Sequence, residues 1–145
     1  MNQLVCEDGV AERLKAAGLR PTRQRVALGA LLFRDYDRHV TAEMLHDEAL
    51  RDRIPVSLAT VYNTLHQFTE VGLLREVAIE GARTYFDTNI SDHMHFYFEH
   101  DGTLIDIDGT ASLIVSPPEP PDGMQISRID VLVRLVKKGE QPPRG

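Results

Sequence analysis

The sequence predicts an α+β protein, with a mainly helical first part and a second part that is α/β or mainly β. Two observations support this prediction. Apolar residues recur at helical spacing up to about residue 70, and from residue 73 onward they alternate with polar residues, as in strands. The chain has 145 residues, of which 42% are hydrophobic. It can therefore bury packed cores, and it is long enough for one domain or two small ones.

The first part divides into four predicted helices. They lie at about residues 8–17, 23–34, 42–52 and 58–70. Thr22, Thr41 and Ser57 precede the last three helices, where their hydroxyl oxygens can accept hydrogen bonds from first-turn amides. Gly18 and Gly72 follow the first and the last helix. They predict the ends of these helices, because glycine readily adopts the left-handed conformation that ends a helix.

A β-hairpin follows the fourth helix. Residues 73–79 alternate in polarity, Glu80-Gly81 predicts a turn, and residues 83–86 return as a second strand. Helices that lead into a hairpin form the layout of a winged helix-turn-helix. In that DNA-binding fold, the helix before the hairpin is the recognition helix.

The rest of the chain predicts three strands, at about residues 93–98, 103–107 and 124–136. Four prolines within residues 116–123 predict a stiff connector without regular structure. Three strands alone bury little surface. We therefore expect this part to pair with a second subunit, in a homodimer with twofold symmetry.

These elements predict two domains joined by a hinge. The predicted boundaries are a winged-helix domain at 1–87, a hinge at 88–92, a dimerisation domain at 93–140 and a loose tail at 141–145. The net charge is −6, but residues 1–86 contribute only −1 of it. A nearly neutral first part leaves room for a local basic face that binds DNA, whereas an acidic second part suits either cation binding or simple solubility.

Composition excludes several classes of protein. No stretch approaches the length of a membrane span, and the first residues do not resemble a signal peptide. We therefore expect a cytoplasmic protein without a membrane partner. Cys6 is the single cysteine, which rules out an internal disulfide and any zinc site made only of cysteines.

The triplet His93-Met94-His95 is the clearest candidate for a metal site. Residues two apart in a strand point to the same side, so both imidazoles can reach one ion. Asp87, shortly before them, is a third possible ligand. Placed directly after a DNA-binding domain, such a site indicates a metal- or haem-sensing regulator rather than an enzyme.

The start of the fourth helix carries the candidate DNA-reading residues. Small and hydroxyl side chains there permit close approach to the groove, Tyr62 can contact thymine methyls or a phosphate, and Asn63 can pair with adenine. Arginines near the second helix suit phosphate or minor-groove contacts. The full set of candidates is Arg20, Thr22, Arg23, Arg25, Ser57, Ala59, Thr60, Tyr62 and Asn63.

Five segments, in this order, resemble the ferric uptake regulator (Fur) family. They are residues 18–25, 39–43, 57–65, 84–87 and 93–95. Within the family, the chain most closely resembles the iron response regulator (Irr) branch, at residues 28–33, 85–89 and the Pro-rich segment that leads into residues 129–135. The resemblance covers nearly the whole chain. It implies an N-terminal winged helix, a C-terminal dimerisation domain and binding to double-stranded DNA at an A/T-rich operator. Arg20, Tyr62 and Asn63 stand where the family contacts DNA, although the family more often has arginine at the position of Asn63.

The resemblance also implies one regulatory metal site that joins the domains. By position, its ligands are His39, Asp87, His93 and His95, a set that suits Fe, Mn or Zn. Haem would use His93 or His95. The family's four-cysteine structural zinc site is expected to be absent, because Phe98 and Asp101 stand at two of its positions. A second regulatory site is also expected to be lost, because Met94 replaces a carboxylate.

By this resemblance the chain is an iron- or haem-responsive repressor of iron-homeostasis genes. Three alternatives stay open: a family sensor of Mn, Zn or peroxide, a metal-dependent hydrolase, and a metal or haem carrier. The sequence fixes neither the physiological ligand, nor the sign of its effect, nor the operator and target genes. Glu99, His100 and Asp101 form either a second weak metal site or a solvated turn.

Overall fold

A computed structural model describes residues 3–79, 81, 83–91, 93–107 and 116–141 of the chain. The chain folds as two compact units, Met1–Ile90 and Ser91–Gly145. Residues 142–145 of the predicted loose tail lie outside the described residues. Glu80 of the predicted turn lies outside them too. None of the helices in the described part combines the length and the apolar composition needed to cross a membrane.

The first unit contains four helices, and three of their predicted caps are confirmed. The helices are α1 (Gln3–Ala16), α2 (Arg23–Leu32), α3 (Ala42–Arg51) and α4 (Leu58–Glu70). The hydroxyl oxygens of Thr22, Thr41 and Ser57 each accept a hydrogen bond from the amide three residues ahead, at 3.1–3.3 Å. The predicted start of α1 at residue 8 is wrong. The helix begins at Gln3, so Asp8 lies inside it.

The four helices enclose one apolar core. Its largest fully buried hydrophobic side chains are Leu14, Leu28, Leu32, Leu45, Leu65, Phe68 and Phe86. Gly29 lies where α1 packs on α2. A Cβ built on Gly29 would be 2.5 Å from Val10 Cγ1. The absence of a side chain at Gly29 is therefore what allows these two helices to approach so closely.

A three-stranded antiparallel sheet completes the first unit. Its strands are β1 (His39–Val40), β2 (Arg75–Val77) and β3 (Tyr85–Asp87), with β3 in the centre. β2 and β3 are the predicted hairpin. β1 was not predicted, because two residues are too few to show a strand period. Its register places His39 opposite Asp87, which brings together residues from distant parts of the sequence.

The second unit contains a sheet with β4 (His95–Phe98) in the centre. β4 pairs antiparallel with β5 (Leu104–Asp106) and parallel with β6 (Leu132–Leu135). β6 is much shorter than the predicted strand at 124–136, because β4 offers only four residues to pair with. Residues 116–131 all lie in the described part of the chain, and they form no helix or strand. For residues 116–123, this confirms the connector that the prolines predicted.

Candidate metal centre and nucleic-acid interface

The second unit brings two histidines and one carboxylate together. Asp106 of β5 lies opposite His95 of β4 in the antiparallel register. Asp106 Oδ1 lies 2.9 Å from His93 Nε2 and 3.2 Å from His95 Nε2. The two imidazole centroids are 4.3 Å apart, and His95 is only 5% exposed. These three side chains form a compact donor set of two nitrogens and one carboxylate oxygen.

A hydrogen bond of His93 fixes which of its ring nitrogens suits a metal. His93 Nδ1 lies 2.6 Å from the carbonyl oxygen of Ser91. A carbonyl oxygen only accepts, so Nδ1 carries the hydrogen. In the neutral ring, Nε2 then keeps its lone pair and faces Asp106. Metal-ligating histidines typically donate their other ring N–H in this way to a carbonyl or carboxylate, so the donor set fits a divalent cation.

The first unit contains its own imidazole–carboxylate pair. His39 Nε2 lies 3.1 Å from Asp87 Oδ2, and the Asp87 side chain is 0% exposed. Asp87 Oδ1 accepts a hydrogen bond from the backbone N–H of Asn89 at 2.9 Å. A buried carboxylate requires positive charge nearby. Arg75 is buried and lies opposite Asp87 in the register with β2. A cation or a protonated His39 would add a further positive charge.

Arg38 holds the backbone beside this pair. Its N–H donates to Thr88 Oγ1 at 2.8 Å, and the Thr88 N–H donates back to the Arg38 carbonyl at 3.0 Å. The Arg38 guanidinium forms an ion pair with Glu48 at 2.6 Å and also donates to the Leu31 carbonyl. His39 directly follows Arg38, and Asp87 directly precedes Thr88. Both ligand candidates therefore lie next to a residue that several contacts hold in position.

The structure places the four predicted metal ligands in two pairs, one in each unit: His39 with Asp87, and His93 with His95. Asp106 was not among the predicted ligands, although the sequence carries a signal for it. The predicted strands at 93–98 and 103–107 leave residues 99–102 between them, so a turn there is centred between residues 100 and 101. In an antiparallel hairpin with that centre, the residue opposite His95 is Asp106.

The same geometry bears on haem, for which His93 and His95 are the candidate ligands. As haem ligands, His93 and His95 would have to direct a ring nitrogen at the iron, whereas both Nε2 atoms here face Asp106 Oδ1. The arrangement supports a metal ion more directly than haem. Haem binding stays a prediction.

The turn at 99–102 engages the carboxylates of the proposed weak site in other contacts. Glu99 Oε1 accepts from Arg134 Nη1 at 2.7 Å. Asp101 Oδ1 accepts from the Thr103 N–H at 2.9 Å. Hydrogen bonding to the Thr103 side chain, and to a smaller extent to its backbone, lowers the pKa of Asp101. His100 Nε2 lies 3.4 Å from Asp101 Oδ2 on the exposed surface. These contacts support a solvated turn rather than a metal site.

The outer side of α4 exposes most of the predicted DNA-reading residues. Ala59, Tyr62 and Asn63 are exposed, and Thr60 is half-buried. Ser57 acts as the cap of α4, and its hydroxyl also donates to Thr60 Oγ1 at 3.0 Å. These residues occupy the first turns of the helix, where a recognition helix contacts bases.

The predicted arginines have different surroundings. Arg20 and Arg23 are exposed and suit phosphate contacts. Arg25 is half-buried, and its guanidinium donates to Gln67 Oε1 at 3.1 and 3.3 Å and to the Arg20 carbonyl at 2.9 Å. Arg25 therefore links α2 to α4, and Thr22 caps α2. These contacts give both residues a structural role.

The first unit has the winged helix-turn-helix fold, which is a DNA-binding type of fold. The second unit is a β unit that carries two histidines and a carboxylate, a donor set typical of a metal site. Residues 16–116 match the model of the ferric uptake regulator family, and the chain belongs to that family. The family consists of metal-responsive transcription regulators.

Curated relatives and solved structures agree with this membership. The chain is 34% identical to the peroxide-responsive repressor PerR of Staphylococcus epidermidis over 101 residues, which cover 69% of the chain and 65% of the relative. It is 32% identical over 100 residues to PerR of Staphylococcus aureus, covering 69% of the chain and 66% of that relative. The matched region thus spans just under two thirds of the length of these relatives.

The fold is similar to that of the ferric uptake regulator of Pseudomonas aeruginosa with manganese. The TM-score is 0.68 at 23% identity, covering 89% of the chain and 98% of that structure. The ferric uptake regulator of Vibrio cholerae gives a TM-score of 0.69 at 21% identity, covering 87% and 98%. These similarities confirm the predicted fold class. The placement in the Irr branch stays a prediction.

Proposed function

We propose that the chain is a transcription regulator whose DNA binding is controlled by a divalent metal ion, with iron as the physiological metal. The observation that carries the proposal is the convergence of His93 Nε2 and His95 Nε2 on Asp106 Oδ1. This donor set occurs in a chain that belongs to a metalloregulator family and that contains a winged helix. A regulator of chromosomal DNA works in the cytoplasm, so that localisation is part of the proposal.

The donor types are compatible with iron or manganese. Two imidazoles and one carboxylate with open positions are a donor set that non-haem Fe(II) uses, and zinc sites with an open position use the same donors. We choose iron because the chain belongs to the ferric uptake regulator family. If Asp87 binds the same ion, its carboxylate adds a hard oxygen ligand of the kind that Mn(II) and Fe(II) accept. Mn(II) is therefore a suitable air-stable substitute for iron in the experiments.

The resemblance to the family implies that His39 and Asp87 bind the same ion as His93 and His95, and we retain that as part of the proposal. In that case an ion would favour one arrangement of the recognition helix relative to the dimerisation domain. Metal analysis after loading tests this point. One metal per chain that is lost in both Asp87→Ala and His95→Ala supports a shared ion, whereas two independent metals per chain contradict it.

A homodimer is the proposed active assembly. The second unit has three short strands and exposes apolar side chains, among them Ile105, Ile126 and Ile129 at 40–43% exposure. Covering them with a second copy would complete its core. A twofold axis would then present two recognition helices to the two halves of an A/T-rich operator. Sedimentation at micromolar concentration tests the dimer.

A DNA-binding titration tests the function as a whole. The metal-free, Mn(II)-loaded, Fe(II)-loaded and haem-loaded proteins are compared on duplexes that the protein itself selects from a random library. We expect the metal-loaded and metal-free affinities to differ by at least tenfold, and His93→Ala/His95→Ala to remove the difference without changing the apo fold. Equal affinity in all states would contradict a regulator gated by metal or haem.

Peroxide sensing is a second candidate, because the two Staphylococcus relatives are named as peroxide-responsive repressors. Fe(II) reacts with peroxide and Mn(II) does not do so readily. If peroxide is the signal, treatment of the Fe(II)-loaded protein changes its DNA affinity and treatment of the Mn(II)-loaded protein does not. A response to haem alone, with none to peroxide, would instead support the haem-responsive alternative.

A further inference from the structure

Tyr62 is held in place on the surface of the proposed recognition helix. Its side chain is 36% exposed, yet its phenol O–H donates a hydrogen bond to Glu43 Oε1 at 2.8 Å. Its ring also lies nearly parallel to that of His66, one turn later in α4, with an interplanar angle of 19° and centroids 6.4 Å apart. Glu43 itself is the second residue of α3 and is half-buried.

The direction of this hydrogen bond is fixed at neutral pH. The bond to Tyr62 lowers the pKa of the Glu43 carboxyl, and the same bond raises the pKa of the Tyr62 phenol. The carboxylate therefore stays ionised and accepts, and the phenol stays protonated and donates. Arg83 contributes a weaker charge effect that also lowers the pKa of Glu43.

This direction limits what Tyr62 can bind. A phenol has a single hydrogen, and here that hydrogen already belongs to the bond with Glu43. The Tyr62 oxygen can then only accept. DNA phosphates are also acceptors, and the Glu43 carboxylate repels them. In the major groove, the donors available to an acceptor are the exocyclic amino groups of adenine N6 and cytosine N4.

We propose that Glu43 is a positioning residue for DNA specificity, which fixes Tyr62 as an acceptor for an exocyclic amino group and prevents its use as a phosphate contact. This proposal rests on the proposed DNA-binding function. It assigns a role in recognition to a carboxylate from α3, outside the recognition helix. It excludes one of the two contacts that the sequence allowed for Tyr62, the phosphate, and it adds a contact with a base amino group that the sequence did not predict.

The first test compares wild type with Glu43→Gln, Tyr62→Phe and the double variant. Each is titrated with the selected duplex and with a scrambled duplex at several salt concentrations. We expect Glu43→Gln to bind scrambled DNA more tightly and to lose roughly 5–10-fold in the ratio of specific to non-specific affinity. In the Tyr62→Phe background, Glu43→Gln should leave that ratio unchanged within twofold, since its effect acts through Tyr62.

Glu70→Gln is the matched control, because it removes one exposed carboxylate at the C-terminal end of α4, the helix that carries Tyr62. It should leave the specificity ratio unchanged. Circular dichroism and thermal unfolding of each variant establish that the fold is retained. If Glu43→Gln and Glu70→Gln have the same effect on both duplexes, the role of Glu43 is only one of bulk charge and the proposal is wrong.

The second test identifies the amino group. Adenines of the selected duplex are replaced one at a time by purine, and cytosines by 2-pyrimidinone, so that each substitution removes one exocyclic amino group. Wild type should lose several-fold in affinity at one position in each half-site, and Tyr62→Phe should show no additional loss there. Purine or pyrimidinone sensitivity distinguishes adenine from cytosine.

The outcomes separate this proposal from the function on which it rests. If wild type selects no duplex in any metal state, DNA binding fails and the role of Glu43 fails with it. If wild type selects a duplex but no amino-group position depends on Tyr62, the proposed function stands and the role of Glu43 is refuted.

Discussion

Replacing Asp106 with asparagine is the sharpest test of the metal centre, because it keeps the shape of the side chain and removes its charge. Asp106 Oδ1 lies within 3.2 Å of both His93 Nε2 and His95 Nε2, so one atom connects the whole donor set. Loss of a residue that only orients metal ligands typically lowers affinity by about 10–100-fold. A direct ligand should contribute more. We expect Asp106→Asn to lower Mn(II) affinity at least about 100-fold, or about 2.7 kcal/mol.

The effect on the metal-free protein should be smaller. The Asp106 side chain is 24% exposed, so water already solvates part of it in the metal-free protein. We expect a loss of about 1 kcal/mol in the free energy of unfolding, within the range for one hydrogen bond. Metal affinity is measured by competition with a chelator, and stability by urea denaturation without metal.

Asp122→Asn is the matched control, since it removes one exposed carboxylate from the same unit. It should change neither quantity. If Asp106→Asn binds Mn(II) as tightly as wild type, the convergence on Asp106 does not describe a metal site and the proposed function loses the observation that carries it.

Three further predictions concern the first unit. Phe68→Ala should destabilise the fold by about 3–5 kcal/mol in urea denaturation, because Phe68 is fully buried; a loss below 1 kcal/mol would show that the core is misdescribed. Gly29→Ala should lower the thermal midpoint, since its Cβ would meet Val10 Cγ1 at 2.5 Å, and an unchanged or raised midpoint would contradict that packing. NMR titration should find that the pKa of Glu43 rises in Tyr62→Phe, because the lowered value depends chiefly on the Tyr62 hydrogen bond. The contact stabilises the fold above the ordinary carboxyl pKa, and this contribution is lost as pH falls through the lowered value; an unchanged pKa would refute the contact.

The caps and periods of the sequence predicted the helices well, because those signals are local. Thr22, Thr41 and Ser57 each cap the helix that was predicted to follow them. β1 was missed since its two residues exist as a strand only through pairing with β3. β6 was predicted too long, because alternating polarity continued beyond the four residues that β4 can pair with.

For the candidate site too, the sequence predicted what local signals encode and missed what depends on long-range packing. The spacing of His93 and His95 indicated a ligand pair, and the turn at 99–102 held enough information to find Asp106. The contact between Tyr62 and Glu43 could not have been found, since it joins side chains 19 residues apart on two helices. No local pattern encodes how such helices pack. The assignment of all these residues to metal or DNA stays a prediction until it is measured.

The parallel pairing of β4 with β6 has a consequence for the order in which the chain folds. β5 follows β4 after a short turn, but β6 begins at residue 132, more than thirty residues after β4 ends. Pairing across such a separation is slow relative to the local contacts of helices. During synthesis, the DNA-binding unit can therefore fold while the strand that carries His95 still has an open edge. That edge is covered only once residues 132–135 have been made, so the newly made chain is most exposed to aggregation at this strand.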